Sequence, residues 1–473
     1  MTGYTLGWID RGTPEPAVAL PPSWLRDLEL AAGGKVRVSA GTRSVLATVV
    51  DRASRAEDLR GNRALLDGLR LPGGVRLGLT SRGGGDGREL RLGPVVGILT
   101  TRGRRTRFGG QTPILREMTR LAGEQGVLAF AFTPSDIDWD RGTIRGHVFR
   151  EWHRGWRSGQ FPFPDVVYNR VPSRRAERNP LMAATSARLV RLLGPRYFNP
   201  CFLDKWHTYR ALAGDPRLRV LLPETRRYSG VSDLLDMLDR FRQVYLKPTG
   251  GSQGLGIIRV VQGGDGQYTL QHQGRRGVRL GVVRGPAALG RAVERRTGHR
   301  SYLVQEGLNL SLAGGRPFDV RVLMQRDEDG RWRRTKLFAR VGGRGGITAN
   351  ISVGGTGESL PRVVPLAVDR PRPRRGRAIV HRVRDTALTI TPLVEAALEM
   401  TLGELGLDLG VDRTGRIWLL EVNSRPWRSV KPERGSIART RLALLRPLAY
   451  ARCLAGFARP AGAVGAVTGE SAR

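Results

Sequence analysis

Apolar and polar positions alternate with a period of two over much of the first ninety residues. KVRVSAGTRSVLATVVD (35–51) reads as a hairpin, GVRLGL and ELRL as later strands, and SWLRDLEL as a short helix. The pattern then changes. GPVVGILT (93–100) is an unbroken β-branched apolar run, which suits a parallel strand buried on both faces. QTPILREMTRLAGEQG (111–126) follows with helical spacing and a closing glycine, and VLAFAFT (127–133) and PDVVYNRV (164–171) are two more buried strands. Strand, helix, strand in this order predicts a small α/β domain. From about residue 200, helices mix with antiparallel hairpins. The expected organisation is an N-terminal β-rich domain (1–92), a small α/β domain (93–199), a larger domain of mixed α/β (α+β) type (200–457) and a loose, disordered Ala- and Gly-rich tail (458–473). No internal repeat is evident.

Composition changes this picture in three ways. No run approaches the ~18 apolar residues of a membrane span, and the opening MTGYTLGWIDRGTPEP has no basic region followed by an apolar one, so neither a membrane span nor a signal peptide is expected. Cys201 and Cys453 are the only cysteines and fit no zinc spacing, which favours a reducing, cytoplasmic compartment. The formal net charge is +37, with runs such as TRGRRTR (101–107) and RPRPRRGR (370–377). Arginine-rich solvated faces account for such runs, and an acidic partner is the alternative. They are not interleaved with aromatic residues, so a single-stranded nucleic acid partner is disfavoured. Of the 79 basic residues only five are lysines: Lys35, Lys205, Lys247, Lys336 and Lys431. In a chain so biased, a lysine marks a place where a compact ammonium serves and a planar guanidinium does not.

Lys247 lies in VYLKPTGGSQGLGIIRV (244–260). GGSQG fits the G-x-S-x-G of a hydrolase nucleophile elbow, with Ser252 as nucleophile, and the lysine beside glycines suggests a phosphate loop. An elbow and a P-loop both need a helix after the loop. Here a β-branched run follows instead, so the unit is strand, glycine loop, strand. Such a loop can still close over phosphates with its backbone N–H groups, Lys247 supplying the charge. A second constellation lies in LGLDLGV, the turn DRTG (412–415) and RIWLLEVNSRP (416–426). Glu421 and Asn423 are two apart and share a strand face. If residues 411 and 416 pair, position 408 lies opposite 419, and Asp408 is the diagonal neighbour of Glu421, roughly 7–8 Å away. Two carboxylates and an amide oxygen are hard ligands suited to Mg²⁺.

In order along the chain, these motifs resemble the ATP-grasp superfamily over about 200–457. DKWHTYRAL (204–212) resembles its first phosphate-lysine segment, with Lys205, and VYLKPTGGSQGLGI its second, with Lys247 and a mobile loop containing Gly251, Ser252 and Gly254. YLVQEGLNL (302–310) resembles the adenine-binding hinge, which implies Gln305, Glu306 and Leu308. FDVRVL (318–323) is similar to the segment with a ribose acid and a phosphate arginine, here Asp319 and Arg321, and ITANISVGG (347–355) to the Asn-containing strand, here Asn350. The resemblance makes Asp408, Glu421 and Asn423 the metal set. GPVVGILT, PDVVYNRVPSR (164–174) and the N-terminal β region extend the likeness to the YheC/YheD group of endospore coat-associated ATP-grasp proteins. It implies an ATP-grasp fold of two lobes behind a pre-ATP-grasp domain, with ATP and Mg²⁺ bound, in a spore-former.

The activity so implied is a carboxylate–amine or carboxylate–thiol ligase working through an acylphosphate, with a small-molecule or peptide acid as substrate. Arg321 and Arg340 are its expected catalytic groups, and Arg425 and Lys431 are candidates to face an acidic substrate. The rival is a structural coat-associated protein with a weak or vestigial nucleotide site, docked through its basic surface on coat or cortex material. A nucleic-acid binder rests on charge alone, and salt dependence separates it from both.

Overall fold

The computed structural model describes residues 4–5, 7–8, 14–51, 59–83, 88–151, 154–251, 254–275, 277–310, 312–366, 373–426, 430 and 436–457. Ser252, Lys431 and the tail 458–473 lie outside the described residues. The chain divides into two compact units, one of Met1–Cys201 with Arg326–Arg331 and Trp427–Arg473, the other of Phe202–Gln325 with Trp332–Pro426.

The first unit begins with β1 (Tyr4–Thr5), β2 (Gly7–Trp8), β3 (Ala17–Leu20), α1 (Pro22–Asp27), β4 (Lys35–Ala40), β5 (Arg43–Asp51), β6 (Arg60–Gly61), α2 (Arg63–Leu69), β7 (Arg76–Arg82) and β8 (Glu89–Gly93). These strands form one eight-stranded sheet, in the order β1-β7-β8-β4-β5-β3-β6-β2. The expected hairpin at 35–51 is the antiparallel pair β4–β5. A second sheet follows from β9 (Val95–Leu99), α3 (Thr112–Leu121), β10 (Leu128–Phe132), β11 (Ile137–Asp138), β12 (Thr143–Arg150), β13 (Gly155–Pro162), β14 (Val166–Asn169), α4 (Arg174–Glu177), α5 (Pro180–Leu193) and β15 (Tyr197–Phe198). Its order is β11-β12-β10-β9-β14-β15, with β13 on β12. β9, β10, β14 and β15 are parallel.

The unbroken apolar run of β9 has its reason in its two faces. Val95 and Leu99 enter a core with Phe130, Phe132 and Leu189, while Val96 and Ile98 enter another with Ile114, Leu115 and Met118 of α3. Helices cover both sides, so neither face can be polar. The long β12–β13 hairpin is not visible as alternation in the sequence, because Arg157, Ser158, Gly159 and Gln160 on β13 are exposed on both faces.

The second unit comprises α6 (Lys205–Ala213), α7 (Pro216–Arg219), β16 (Thr225–Tyr228), α8 (Val231–Phe241), β17 (Gln243–Pro248), β18 (Ile258–Gln262), β19 (Gln267–Gly274), β20 (Gly277–Arg284), α9 (Pro286–Thr297), β21 (Tyr302–Glu306), β22 (Leu312–Ala313), β23 (Arg316–Arg326), β24 (Trp332–Val341), β25 (Thr356–Glu358), α10 (Leu360–Val363), α11 (Pro373–Leu398), β26 (Glu404–Val411) and β27 (Ile417–Asn423). It holds two sheets, β16-β21-β17-β18-β19-β20 and β25-β24-β23-β26-β27, with β22 on β23. α8 and α9 cover the first, through Leu234, Met237, Leu238, Leu289 and Val293. α11 covers the second, through Ile379, Val383, Ile390 and Val394. The last helix, α12 (Ile437–Leu454), packs Leu444 and Leu448 in the first unit. The described helices include none long and apolar enough to cross a membrane.

Glycine fixes one aromatic contact in the first unit. The rings of Phe130 and Phe161 stack with centroids 4.5 Å apart. A Cβ on Gly146 would come within 2.5 Å of Phe161 and 2.6 Å of Phe130. Gly146→Val should therefore force these rings apart and destabilise the unit by about 1–3 kcal/mol. Urea unfolding followed by tryptophan fluorescence reads this as a lower midpoint, and an unchanged midpoint would show that the rings have room to yield.

Candidate functional site

The site begins with the β26–β27 hairpin. Asp412 N donates to Arg416 O at 3.0 Å, leaving a three-residue loop that ends in Gly415 at φ 87°. Asp412 Oδ1 accepts from the N–H groups of Thr414 and Arg416 and from the Thr414 hydroxyl, which pins that loop. Residue 411 therefore pairs with 417, not with 416 as alternation suggests. A bulge then leaves Leu420 over, and Asp408 lies directly opposite Glu421 rather than diagonal to it. Gly406 is opposite Asn423. On the other side β23 places Arg321 directly opposite Asp408. Arg321, Asp408 and Glu421 thus form a row across three strands.

Each carboxylate in this row has cationic company. Arg340, on β24, donates from Nε and one terminal nitrogen to the two oxygens of Asp319, both at 2.6 Å, and from that nitrogen to Asp408 Oδ2 at 2.8 Å. Burial of the guanidinium opposes its charge, but Asp408 and Asp319 outweigh this and raise its pKa further. Burial lifts the Asp319 carboxyl to about 6 despite Arg340. Arg321 donates to Asp408 Oδ2 at 3.2 Å. Its Nε lies 2.6 Å from Asp408 Oδ1 without the alignment of a hydrogen bond, so that buried oxygen keeps an acceptor position unused among the described residues.

The two lysines arrive from different elements. Asp204 caps α6, accepting from the N–H groups of Trp206 and His207, and so sets Lys205 as its first residue. Lys205 Nζ is 2.5 Å from Glu421 Oε1. Burial would raise the Glu421 pKa, but the Lys205 ammonium overcomes it and holds the carboxyl at about 2. Lys247, on β17, donates to Gln305 Oε1 at 2.5 Å, and Gln305 donates to Thr225 Oγ1 at 2.8 Å. Burial, with Lys205 nearby, lowers the Lys247 pKa to about 8. One cavity is lined by Lys205, Tyr209, Thr225, Lys247, Gln305 and Glu421.

The remaining candidates occupy other contacts. Glu306 is tied to Glu224, its N–H donating to Glu224 O and its Oε2 accepting from Glu224 N. Leu308 lies in the half-buried loop after β21. A Cβ at Gly251 would come 2.5 Å from the Pro248 ring, and one at Gly254, where φ is 74°, would run into Asn350 Nδ2. The glycine loop and Asn350 therefore touch. Arg425 lies over the Phe202 ring at 4.5 Å. Strand β18 follows the loop that carries Ser252, so the helix of a nucleophile elbow is absent there. Thr225 and Glu224 escaped sequence reasoning. A threonine in a short strand and an acid beside a proline carry no signal of their own.

A sequence model of the YheC/D-like ATP-grasp family matches residues 194–454, more than half of the chain. The chain belongs to this family. Among curated proteins it is similar to endospore coat-associated protein YheD of Bacillus subtilis (strain 168), with 29% identity over 426 residues covering 89% of this chain and 90% of that one. It is also similar to endospore coat-associated protein YheC of the same organism, at 25% over 324 residues, 67% of this chain and 86% of that one. Similar solved structures include the D-cycloserine synthetase DcsG, with 17% identity, a TM-score of 0.43, and coverage of 76% of this chain and 99% of that one. Another is the D-alanine-D-alanine ligase from Coxiella burnetii, with 12% identity, a TM-score of 0.39, and coverage of 76% and 96%.

ATP-grasp proteins as a family bind ATP and Mg²⁺. The donor chemistry here fits that ion. Asp408 and Glu421 face each other, Asp408 Oδ1 has an unused acceptor position, and Asn423 offers an amide. No cluster of three His, Cys, Asp or Glu side chains suited to a metal occurs among the described residues, so this set rests on two carboxylates and the amide.

The half-buried Lys247 ammonium has a cost that pH reveals. The Lys247 pKa lies at about 8 in the fold against an ordinary 10.5. The unfolded chain therefore holds this proton more tightly between those values, and stability rises with pH across that window. Below about pH 8 the penalty is complete. Lys247→Met should be more stable than the parent at pH 7, with the difference shrinking as pH rises from 8 to 10.5. Thermal unfolding of both proteins across that range measures it, and a pH-independent difference would place the Lys247 pKa outside the window.

Proposed function

We propose that the protein is an ATP-dependent ligase that activates a carboxylate as an acylphosphate and passes the acyl group to an amine or thiol. What carries this reading is the meeting of Lys205, Lys247, Gln305 and Glu421 in one cavity, with Asp408 opposite Glu421. Lys205 and Lys247 would hold phosphate oxygens of ATP, Lys205 leaving Glu421 to do so. Arg321 would meet the phosphoryl group from the β23 side of Asp408. Arg340, held by three hydrogen bonds to carboxylates, would act as a brace that keeps Asp408 in place. Gln305, held between Lys247 and Thr225, would fix the direction of the ammonium.

Asp408, Glu421 and Asn423 would hold Mg²⁺, which when bound offsets charge on the phosphates. A substrate carboxylate oxygen then attacks the γ-phosphorus, and the bond from that phosphorus to the β,γ-bridging oxygen breaks, releasing ADP. The amine or thiol attacks the acyl carbon, phosphate leaves, and the nucleophile's proton passes to solvent. Fixed cations aimed at the phosphoryl oxygens supply the stabilisation, and no side-chain nucleophile takes part. The likeness to the two coat-associated relatives supports an association with the spore coat, and the acid would be a small molecule or a peptide.

The test is phosphate release from Mg-ATP, screened against amino acids, short peptides and peptidoglycan fragments, with ADP, phosphate and ligated product in equal amounts. Nucleotide binding without acceptor-dependent release from any of these would favour the structural coat protein instead. Glu421→Gln should lower turnover at least a hundredfold, about 2.7 kcal/mol of transition-state stabilisation, while circular dichroism shows an intact fold. Full turnover in that variant would remove Glu421 from the site. Lys247→Arg should recover only part of what Lys247→Ala loses, since a planar fork cannot take the place of an ammonium. Ser252→Ala should stay within about tenfold of the parent, and labelling of Ser252 by a fluorophosphonate probe would revive the nucleophile elbow.

A further inference from the structure

We propose that β20, the outermost strand of the first sheet in the second unit, is a docking edge for an extended peptide in which apolar and acidic residues alternate. This inference does not rest on the ligase reading.

The edge is open. β20 stands last in the strand order, paired on one side with β19. The pairing runs in unbroken register from Gly277 opposite Gly274 to Arg284 opposite Gln267. Proteins commonly blunt such an edge with a proline, a bulge or a short strand. β20 is eight residues long, has no proline and carries no bulge.

Register decides which backbone groups face outward. Gly285 N donates to Gly266 O at 2.9 Å, just past the end of this ladder. Antiparallel pairs alternate between bonded and non-bonded positions. Arg279, Gly281 and Val283 therefore exchange bonds with β19, and the N–H and C=O groups of Val278, Leu280, Val282 and Arg284 point away from it. Among the described residues these outward groups have no protein partner.

The two faces of the strand differ. Val283 packs against the core beneath α8 and α9, and a Cβ on Gly281 would come 2.8 Å from an Arg296 nitrogen of α9. By alternation Arg279 stands on this helix side too. Opposite it on β19 is His272, whose pKa is lowered by burial and then by Arg296, Arg279 and Arg300. The helix side of the edge is thus cationic. The other side is apolar and bare: Leu280 is 67% exposed and Val282 52%, with the half-buried Val278 in line.

Charge selects the occupant. From Asp265 to Arg300 the chain has eight arginines against two acids, Asp265 and Glu294. A second copy of the strand would bring one arginine-rich edge against another, and like charges across a pair oppose that. A strand with acids opposite Arg279, Gly281 and Val283 would instead meet the helix-side guanidinium groups. Its intervening apolar residues would cover Leu280 and Val282, and its backbone would take up the outward N–H and C=O groups. Directly opposite residues share a face, so the sequence that satisfies both sides alternates with a period of two.

Fluorescence anisotropy tests this on the full chain, with a labelled, end-capped peptide of four Val-Glu repeats. Saturable binding of one peptide per chain is expected. Four Val-Lys repeats, and a block peptide of four valines followed by four glutamates, should each bind at least about tenfold more weakly. Val282→Pro removes an outward N–H without touching the ladder to β19, and should weaken the alternating peptide about tenfold or more. Arg279→Glu should narrow or reverse the preference for the glutamate peptide over the lysine one. Should Val282→Pro fail to fold, Arg279→Glu and the block peptide decide. No saturable binding, equal binding of the block peptide, or binding untouched by either variant overturns the proposal. So does a concentration-dependent dimer in sedimentation that Val282→Pro abolishes, because the edge would then be an interface between copies.

Discussion

Asp408 is 4% exposed, and a carboxyl group so buried needs hydrogen-bond donors around it, here the guanidinium groups of Arg321 and Arg340. The second sheet of the second unit is arranged around that constraint. Arg321 comes from the strand on one side, and Arg340 from one strand further. Arg340 is itself buried, so it takes Asp319 as a second carboxylate. Gly406 leaves room for the guanidinium, since a Cβ there would lie 3.1 Å from an Arg321 nitrogen. The bulge after Asp408 then puts Glu421 opposite it, which extends the charged row toward Lys205. Removing one member strands its neighbours, so the row behaves as a unit.

The row has a fixed end and an adjustable one. Arg340 is bidentate on Asp319 and reaches Asp408 as well, and such forks resist reorientation. At the other end Lys205 and Glu421 make a single contact, with the Glu421 side chain 35% exposed. An ammonium can turn from a carboxylate to a phosphate oxygen without leaving its position. Preorganisation at Asp408 and exchange at Glu421 are therefore compatible within a few residues.

Much of this was legible in the sequence, for physical reasons. LGLDLGV and IWLLEVN place acids inside apolar strands, and an acid there needs a partner. The strand after GGSQGLG excluded an elbow, because β-branched runs do not start helices readily. The register was not legible. Alternation counts positions from the turn, and both the Asp412–Arg416 closure and the Leu420 bulge alter that count. Nor was the polar link from Lys247 through Gln305 to Thr225, which joins three strands far apart in sequence. The place of α12 in the first unit escaped for the same reason: its Leu444 and Leu448 meet partners more than 300 residues earlier, and amphipathicity does not say which apolar face a helix will choose.

The scarcity of lysine gains a physical account from this geometry. The chain has 74 arginines and five lysines, and two of those five lysines line one cavity. Where the structure needs a rigid bidentate partner for a buried carboxylate, arginine stands, at 321 and 340. Where two cations share one small cavity, lysine stands, at 205 and 247. Two guanidinium groups there would be bulkier. Burial with Lys205 nearby lowers the Lys247 pKa to about 8, so the pair keeps its charge at neutral pH at a cost, and two compact ammonium groups keep that cost within one small cavity. Each ammonium presents its donors in any direction, whereas a planar guanidinium offers them only in its own plane, so a pair of lysines can meet the oxygens of a polyanion from two sides where a pair of arginines would crowd them out.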